Sequence, residues 1–508
     1  MVLQQGQKVP VWGWASPGES VRVSLEQNQA SATTNADGVW QLQLDPLKSG
    51  GPYTLTVAGS KDKITIKDVL VGEVWLCSGQ SWMTWAVGGS VNATEEIKNA
   101  NHPEIRMFTV KETAALTPQD DCPGSWQVCT PSTVSTFSGC GYFFARRLQK
   151  SLGVPVGMIH SSVPGTTAWS WSGRDVFETE PGLKARQKAF DLAAGQFGKI
   201  FYDKYGSLVR QWLEQRASAE SVPSPAGLNM FRASPEQWQA WLEGAEKASA
   251  AGTSVALPPE VQPFPTEDPR NSSRGPASVL FNGMINPLIP YGIAGIIWYQ
   301  GGTENNYRSL FQAMIRSWRQ KWGQGDIPFL FVQRANLGEK LAPATLPEFR
   351  QDQAAALSLP RTGMAVAIDI GLPDNIHPTN TQDVGLRLAL VAEKMVYGRD
   401  VVASGPTCIR VDAEGGSLRL HFTNLGGGLV ARGGGELKGF ELAGADEKYV
   451  PARAVLIGDS ITLQSDSVTA PVAVRYAWSV NPDCNLFNQA GLPAAPFQSA
   501  ITTSAASK

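Results

Sequence analysis

Apolar and polar positions alternate at the start of the chain, in Val9-Pro10-Val11-Trp12-Gly13-Trp14 and again in Val21-Arg22-Val23-Ser24-Leu25. Two turn-forming runs, Ser16-Pro17-Gly18 and Asn35-Ala36-Asp37-Gly38, break this pattern. A period of two interrupted by such turns predicts an all-β domain over residues 1–67. Near Val69 the texture changes. Short apolar strands at 72–76, 154–160, 295–299, 329–333 and 364–368 alternate with longer amphipathic segments. Helices are predicted at 143–152, at 307–322 with Leu310, Met314, Ile315 and Trp318 on one face, and at 380–397 with Val384, Leu388, Val391 and Met395 on one face. Strands alternating with helices imply a parallel sheet covered on both sides, so residues 68–402 read as an α/β domain. Beyond Gly398 the pattern returns to β, as in Leu418-Arg419-Leu420-His421-Phe422 and Val472-Ala473-Val474-Arg475-Tyr476. Triple glycines at 426–428 and 433–435 punctuate it, giving a C-terminal β domain over 403–508. Residues 176–275 interrupt the α/β domain with a mainly helical insertion. One helix spans 183–217, another starts after Ser234-Pro235-Glu236, and the Pro-rich stretch 258–276 leads back to the sheet. Such an insertion is either one wall of a cleft or a structural brace.

Composition narrows the class. A chain of 508 residues exceeds one hydrophobic core, which agrees with several domains. A formal net charge of −2 leaves no basic footprint for nucleic acid. No run of eighteen apolar residues marks a membrane span. The six cysteines form no Cys-x-x-Cys pair and the four histidines are scattered, so neither a zinc site nor a redox motif is expected. Cys122 and Cys129 could close a short loop in an oxidising compartment, and buried free thiols are equally consistent. The chain opens on a strand-like Val2-Leu3-Gln4, with no charged and apolar leader before it, as expected if a signal peptide has been removed.

Candidate chemistry lies at two places. In Trp75-Leu76-Cys77-Ser78-Gly79-Gln80-Ser81-Trp82-Met83-Thr84 an apolar strand runs into a turn carrying two serines. A hydroxyl held at a strand end is open to a base. Much later, Asp374-Asn375-Ile376-His377-Pro378 offers a histidine with a carboxylate three positions before it. Together these make a nucleophile, base and orienter in the order Ser, Asp, His. A Gly-x-Ser-x-Gly elbow is absent, because Met83 holds the last position.

These blocks resemble the SGNH-type hydrolases, and the chain as a whole resembles the sialate O-acetylesterase family of carbohydrate esterases. The likeness also runs through Val11-Trp12-Gly13-Trp14-Ala15, Pro155-Val156-Gly157-Met158-Ile159, Phe281-Asn282-Gly283-Met284-Ile285, Trp298-Tyr299-Gln300-Gly301 and Asn481-Pro482-Asp483-Cys484-Asn485-Leu486. It implies a three-layer α/β/α SGNH domain flanked by N- and C-terminal all-β domains. It also implies hydrolysis of O-acetyl esters on a carbohydrate through an acetyl–Ser81 intermediate. His377 would be the base and Asp374 its orienter, with Ser78 structural. The oxyanion hole would be formed by the Ser81 N–H, Gly165 and the Gln300 side chain, and Trp82, Thr166 and Gly302 would border the substrate. No metal or cofactor is implied, the partner is the acetylated glycan, and the compartment is periplasmic or extracellular.

Three positions depart from the family pattern. Trp82 stands where Asn is usual. Pro164-Gly165-Thr166 replaces Gly-Gly-Thr. Gln300-Gly301-Gly302-Thr303 replaces Gln-Gly-Glu-Ser, which removes a carboxylate that Glu304 could supply from two positions on. The alternatives these changes raise are a glycan-binding protein with weak or no activity, with Trp82 as a stacking platform, and a promiscuous short-chain esterase.

Overall fold

A computed structural model of the chain describes residues 1–115, 117–216, 234–259, 277–302 and 304–501. Alternate side chains on each central strand go to opposite faces, as a period of two requires. Seven strands build the central sheet: β1 (Lys63–Gly79), β2 (His102–Thr109), β3 (Trp126–Cys129), β4 (Val156–Ser162), β5 (Gly295–Tyr299), β6 (Phe329–Gln333) and β7 (Thr362–Val366). Their order is β7-β6-β5-β1-β4-β2-β3, and all neighbours are parallel except β2 and β3. Leu76, Ile296, Trp298, Phe329 and Phe331 face one layer, where the helix Tyr307–Trp322 packs with Leu310, Phe311, Met314 and Trp318. Trp75, Cys77, Ile297, Tyr299, Leu330 and Val332 face the other layer, against the helices Gly139–Leu152 and Thr381–Met395. This is the three-layer α/β/α arrangement expected from the sequence.

The flanking parts are mainly antiparallel, although Val2–Gln4 pairs in parallel with β1. The N-terminal strands include Ser20–Leu25, Asn28–Thr33 and Gly50–Ala58, and the last of these pairs with the first half of β1. One strand of 17 residues therefore serves both the N-terminal sheet and the parallel sheet, and position 67 falls inside it. At the C-terminus two four-stranded sheets, one beginning with Thr407–Glu414 and the other containing Phe440–Ala443, enclose a separate core that includes Leu418, Leu420, Ile461, Val474 and Tyr476. In the insertion, helices Pro181–Arg216 and Pro235–Ala250 pack together through Phe197, Phe201 and Trp212 on Trp238 and Trp241. The second helix opens with the reciprocal capping of Ser234 and Gln237. Most of the Pro-rich stretch 258–276 lies outside the described residues.

The chain order positions the site. After β1 it builds β2, β3 and β4 on one side, then crosses to lay down β5, β6 and β7 on the other. The switch falls between β1 and β5, and the crevice at the carboxyl ends of such strands is where open α/β sheets receive ligands. Strand β1 ends there, at Gly79. Its φ of +137° suits glycine, and a Cβ on it would lie 2.2 Å from the Tyr299 carbonyl oxygen of β5.

Candidate active site

Ser81 is the first residue of a single helical turn, α1 (Ser81–Thr84), directly after β1. It is half-buried, and its hydroxyl makes no hydrogen bond with a described residue. Ser78 lies wholly inside the sheet at 0% exposure with its hydroxyl unpartnered, so no substrate reaches it. The turn under Ser81 is fastened from several sides. Gln80 donates its backbone N–H to the Tyr299 carbonyl (3.1 Å). With its side-chain amide turned to suit its neighbours, Gln80 also donates to the Thr166 carbonyl (3.2 Å) and accepts from the Gly301 N–H (2.8 Å). Three strand-end loops are thereby tied together. Thr84 Oγ1 lies 2.7 Å from Ser162 Oγ at the end of β4, and Ser162 Oγ lies 2.6 Å from His160 Nε2. Burial pushes the His160 pKa down to about 4, so that ring is neutral.

The His377 loop lies against the same turn. The Trp82 indole N–H donates to the Ile376 carbonyl at 2.5 Å. The His377 ring stacks on Trp85 with centroids 4.9 Å apart and planes at 18°. An Asx-type bond from the His377 N–H to Asn375 Oδ1 (2.9 Å) shapes the loop itself. Ser81 and His377 are thus brought to one place through Trp82 and Trp85. Asp374 is exposed, and no hydrogen bond joins its carboxylate to His377. The His377 Nε2 is buried without a partner among the described residues. Burial of the ring lowers the His377 pKa.

The remaining residues divide. The N–H groups of Ser81 and Gly165 make no hydrogen bond with a described residue, and Gly165 sits in an exposed turn at φ +73°. Gln300 is 0% exposed and its amide is already engaged. Its Nε2 donates to Glu304 Oε1 (2.9 Å) and the Thr166 carbonyl (3.4 Å), and its Oε1 accepts from the Tyr307 hydroxyl (3.1 Å). Thr166 is buried rather than facing substrate. Its hydroxyl donates to the Val163 carbonyl (2.8 Å) and accepts from the Trp171 indole (3.0 Å), which braces the loop. At Gly302 a Cβ would meet Glu304 Oε2 at 1.9 Å, so the Glu304 carboxylate occupies the space a side chain at 302 would enter. Trp82 is only 7% exposed, stacks on Tyr299 at 6.0 Å and lies over Gly301. It is thus largely enclosed, unlike the open stacking platform of the glycan-binding alternative. Cys122 and Cys129 are both free thiols.

Sequence reasoning passed over two polar residues here. Gln80 was read only as part of a motif. Arg334, one position beyond β6, was not singled out, although it follows an apolar strand just as Gln300 follows β5. A polar residue at the carboxyl end of each parallel strand was the available signal.

The fold and the strand-end serine define an SGNH-type α/β hydrolase. The profile of a family described as carbohydrate esterase, sialic acid-specific acetylesterase, matches residues 280–395. The sialate O-acetylesterases of Homo sapiens and Pongo abelii are each 28% identical over 99% of this chain and 91% of their own length. The crystal structure of a carbohydrate acetylesterase from Xanthomonas citri is 34% identical, covers 98% of this chain and 97% of its own, and superposes with a TM-score of 0.76. The chain belongs to the sialate O-acetylesterase family of carbohydrate esterases, and its activity is that of a carboxylic ester hydrolase. Among the described residues no helix is long and apolar enough to cross a membrane.

Proposed function

We propose that this chain removes acetyl groups from hydroxyls of a carbohydrate through an acetyl–Ser81 intermediate. The observation that carries this reading is the packing of the His377 loop on the turn that begins with Ser81, through the Trp82–Ile376 hydrogen bond and the Trp85–His377 stack. Ser81 Oγ attacks the acetyl carbonyl carbon while His377 takes its proton. The tetrahedral oxygen lies toward the N–H groups of Ser81 and Gly165, which make no hydrogen bond with a described residue. Gln300 joins them only by giving up a bond to Glu304 or Thr166. Collapse breaks the bond to the sugar oxygen, and His377 returns the proton to it. Water then repeats the sequence on the acetyl–enzyme and releases acetate. Asp374 has the orienting role once its exposed carboxylate turns to the imidazole, since such bonds commonly tighten only with substrate bound. Sialate O-acetylesterase relatives support an acetylated sugar as substrate. Such a substrate favours a periplasmic or extracellular enzyme.

Acetate release from 4-nitrophenyl acetate and from a panel of acetylated glycans tests the reading, with mass spectrometry of the quenched enzyme to find acetyl on Ser81. Acetyl on another residue, or aryl ester turnover without any glycan turnover, overturns it. The pH profile gives a second test. A general base must be neutral, and burial lowers the His377 pKa. The enzyme should therefore stay active into mild acid, with the acid limb of kcat/KM centred below about 6.5, the ordinary imidazole value. A limb centred above it indicates that Asp374 is engaged in the free enzyme.

A further inference from the structure

The joint between the N-terminal β domain and the amino ends of the central strands holds a cleft of about 810 Å³ that the reaction above does not use. Ile293 and Ala294, just before β5, line it, as do Pro328 before β6 and Arg361 before β7. Ser81 follows the carboxyl end of β1, so the cleft opens at the other end of the sheet. The five residues of β5 alone set the two ends roughly 16 Å apart.

Three glutamines on the cleft wall are each held by one end. Gln5 Nε2 donates to the buried Glu73 carboxylate (2.6 Å), and Gln7 Nε2 donates to the Ile293 carbonyl (3.3 Å). Gln324 Oε1 accepts from the Ile293 N–H (3.4 Å). The other ends, Gln5 Oε1, Gln7 Oε1 and Gln324 Nε2, make no hydrogen bond with a described residue. Charges on the wall cancel, Lys48 and Arg361 against Glu73 and Asp326. Preset amide acceptors and donors in a wall of no net charge suit an uncharged ligand rich in hydroxyls, since a hydroxyl both donates and accepts.

An aromatic face adjoins this cleft. Strand Val9–Trp14 pairs with strand Val39–Leu44 and turns Val9, Leu42 and Leu44 into the N-terminal core. Its other face carries Pro10, Trp12 and Trp14, with Gln43, Gln41 and Val39 opposite them. Trp14 is 54% exposed, and no other aromatic side chain among the described residues is exposed. Trp12 stands two positions away, about 7 Å along the strand, and meets Tyr291 edge to face with centroids 6.3 Å apart. Neither indole N–H bonds to a described residue, and neither do the exposed amides of Gln41 and Gln43. Residues 291–293 join face and cleft. Tyr291 braces Trp12 and Ile293 lines the cleft. Gly292 puts no side chain between them, and its Cβ position is 3.5 Å from Gln7 Nε2 and 3.7 Å from Pro10 Cδ.

We propose that the cleft and the indole face form one binding site for a neutral glycan chain, separate from the place where the ester is cut. An apolar patch rimmed by polar groups marks a contact surface. A pyranose fits both halves of this one, its C–H face on the flat indole and its hydroxyls on the amides. Binding there holds the chain by a part that carries no ester, and it does not depend on the esterase reading above.

Calorimetry of the whole chain with unacetylated xylohexaose, cellohexaose and mannohexaose tests the site, with a hexamer of galacturonic acid as the charged control. The wild type should bind at least one neutral hexasaccharide, and the charged hexamer about tenfold more weakly or less. Trp14→Ala should weaken that binding about tenfold or more, the scale of a lost aromatic anchor. Gln324→Ala should weaken it about fivefold, the scale of one hydrogen bond. Both replace surface side chains, so melting temperature and 4-nitrophenyl acetate turnover should stay as in the wild type. Absence of binding to all three neutral sugars, equal affinity for the charged hexamer, or undiminished affinity in either variant overturns the proposal. So does a wild type that sediments as a dimer and binds no sugar while Trp14→Ala is a monomer, because the indole face then seats a second copy of this chain.

Discussion

Ser81→Ala is expected to lower acetyl ester hydrolysis by on the order of 10⁴-fold or more, because nucleophile, base and orienter act as a unit. Its effect on stability should stay within about 0.5 kcal/mol. The Ser81 hydroxyl makes no hydrogen bond with a described residue, and the capping position of its helical turn is Gln80, so its removal leaves no partner stranded. Two other hydroxyls serve as controls. Ser78→Ala deletes a wholly buried, unpartnered hydroxyl within β1 and should keep activity. Ser162 stands 2.6 Å from His160 and superficially forms a second serine–histidine pair. With the His160 pKa near 4, that imidazole is a weak base at neutral pH. Ser162→Ala should loosen the tie to Thr84 and slow the enzyme modestly. Steady-state rates for the three variants settle the matter: an active Ser81→Ala beside an inactive Ser162→Ala would move the chemistry to β4.

The central sheet was legible because its inner strands are buried on both faces. Gly295–Tyr299 and Phe329–Gln333 read as unbroken apolar runs, and the structure gives them the predicted limits. The helix Tyr307–Trp322 was equally plain, since its apolar stripe faces one layer of core. The strands at the other end of the sheet escaped notice. His102–Thr109 opens with His-Pro-Glu and Trp126–Cys129 has only four residues. Strands near an edge need no continuous apolar run, so pattern alone does not mark them. The edge strand β7 was placed two residues late for the same reason.

At the site, residue type and spacing offered His377 and two serines, Ser78 and Ser81, and the family resemblance chose Ser81; the fold places Ser81 and His377 on touching loops. What they could not give was orientation. Gln300 reads as a donor beside the nucleophile, yet its amide is taken up by Glu304 and Thr166. Thr166 reads as a loop hydroxyl, yet Val163 and Trp171 use it. Asp374 stands three positions before His377 without bonding to it in this state. Hydrogen-bond partners are long-range facts: Gln300 and Thr166 are 134 positions apart. No local pattern encodes which of several acceptors a buried amide will choose.

Trp82 shows the same limit most sharply, and its replacement carries the largest expected effect on stability. Next to the nucleophile, an indole reads as a surface for sugar. The structure encloses it between Tyr299, Gly301 and Arg334, and its N–H anchors the loop of His377 through Ile376. Trp82→Asn should therefore destabilise the protein by about 3 kcal/mol or more, the scale of large aromatic truncations. It strands the Ile376 carbonyl and frees the His377 loop, so rates should fall together on sugar and aryl esters, with their ratio unchanged. Trp82→Phe separates the two contributions. It keeps most of the buried ring and should cost less in melting temperature, yet it lacks the N–H and should lose rate through the loop. Melting curves and the ratio of acetylated sugar to 4-nitrophenyl acetate turnover check this together. A Trp82→Asn protein that melts like the wild type and gains on the sugar ester would return the indole to the substrate's side of the wall.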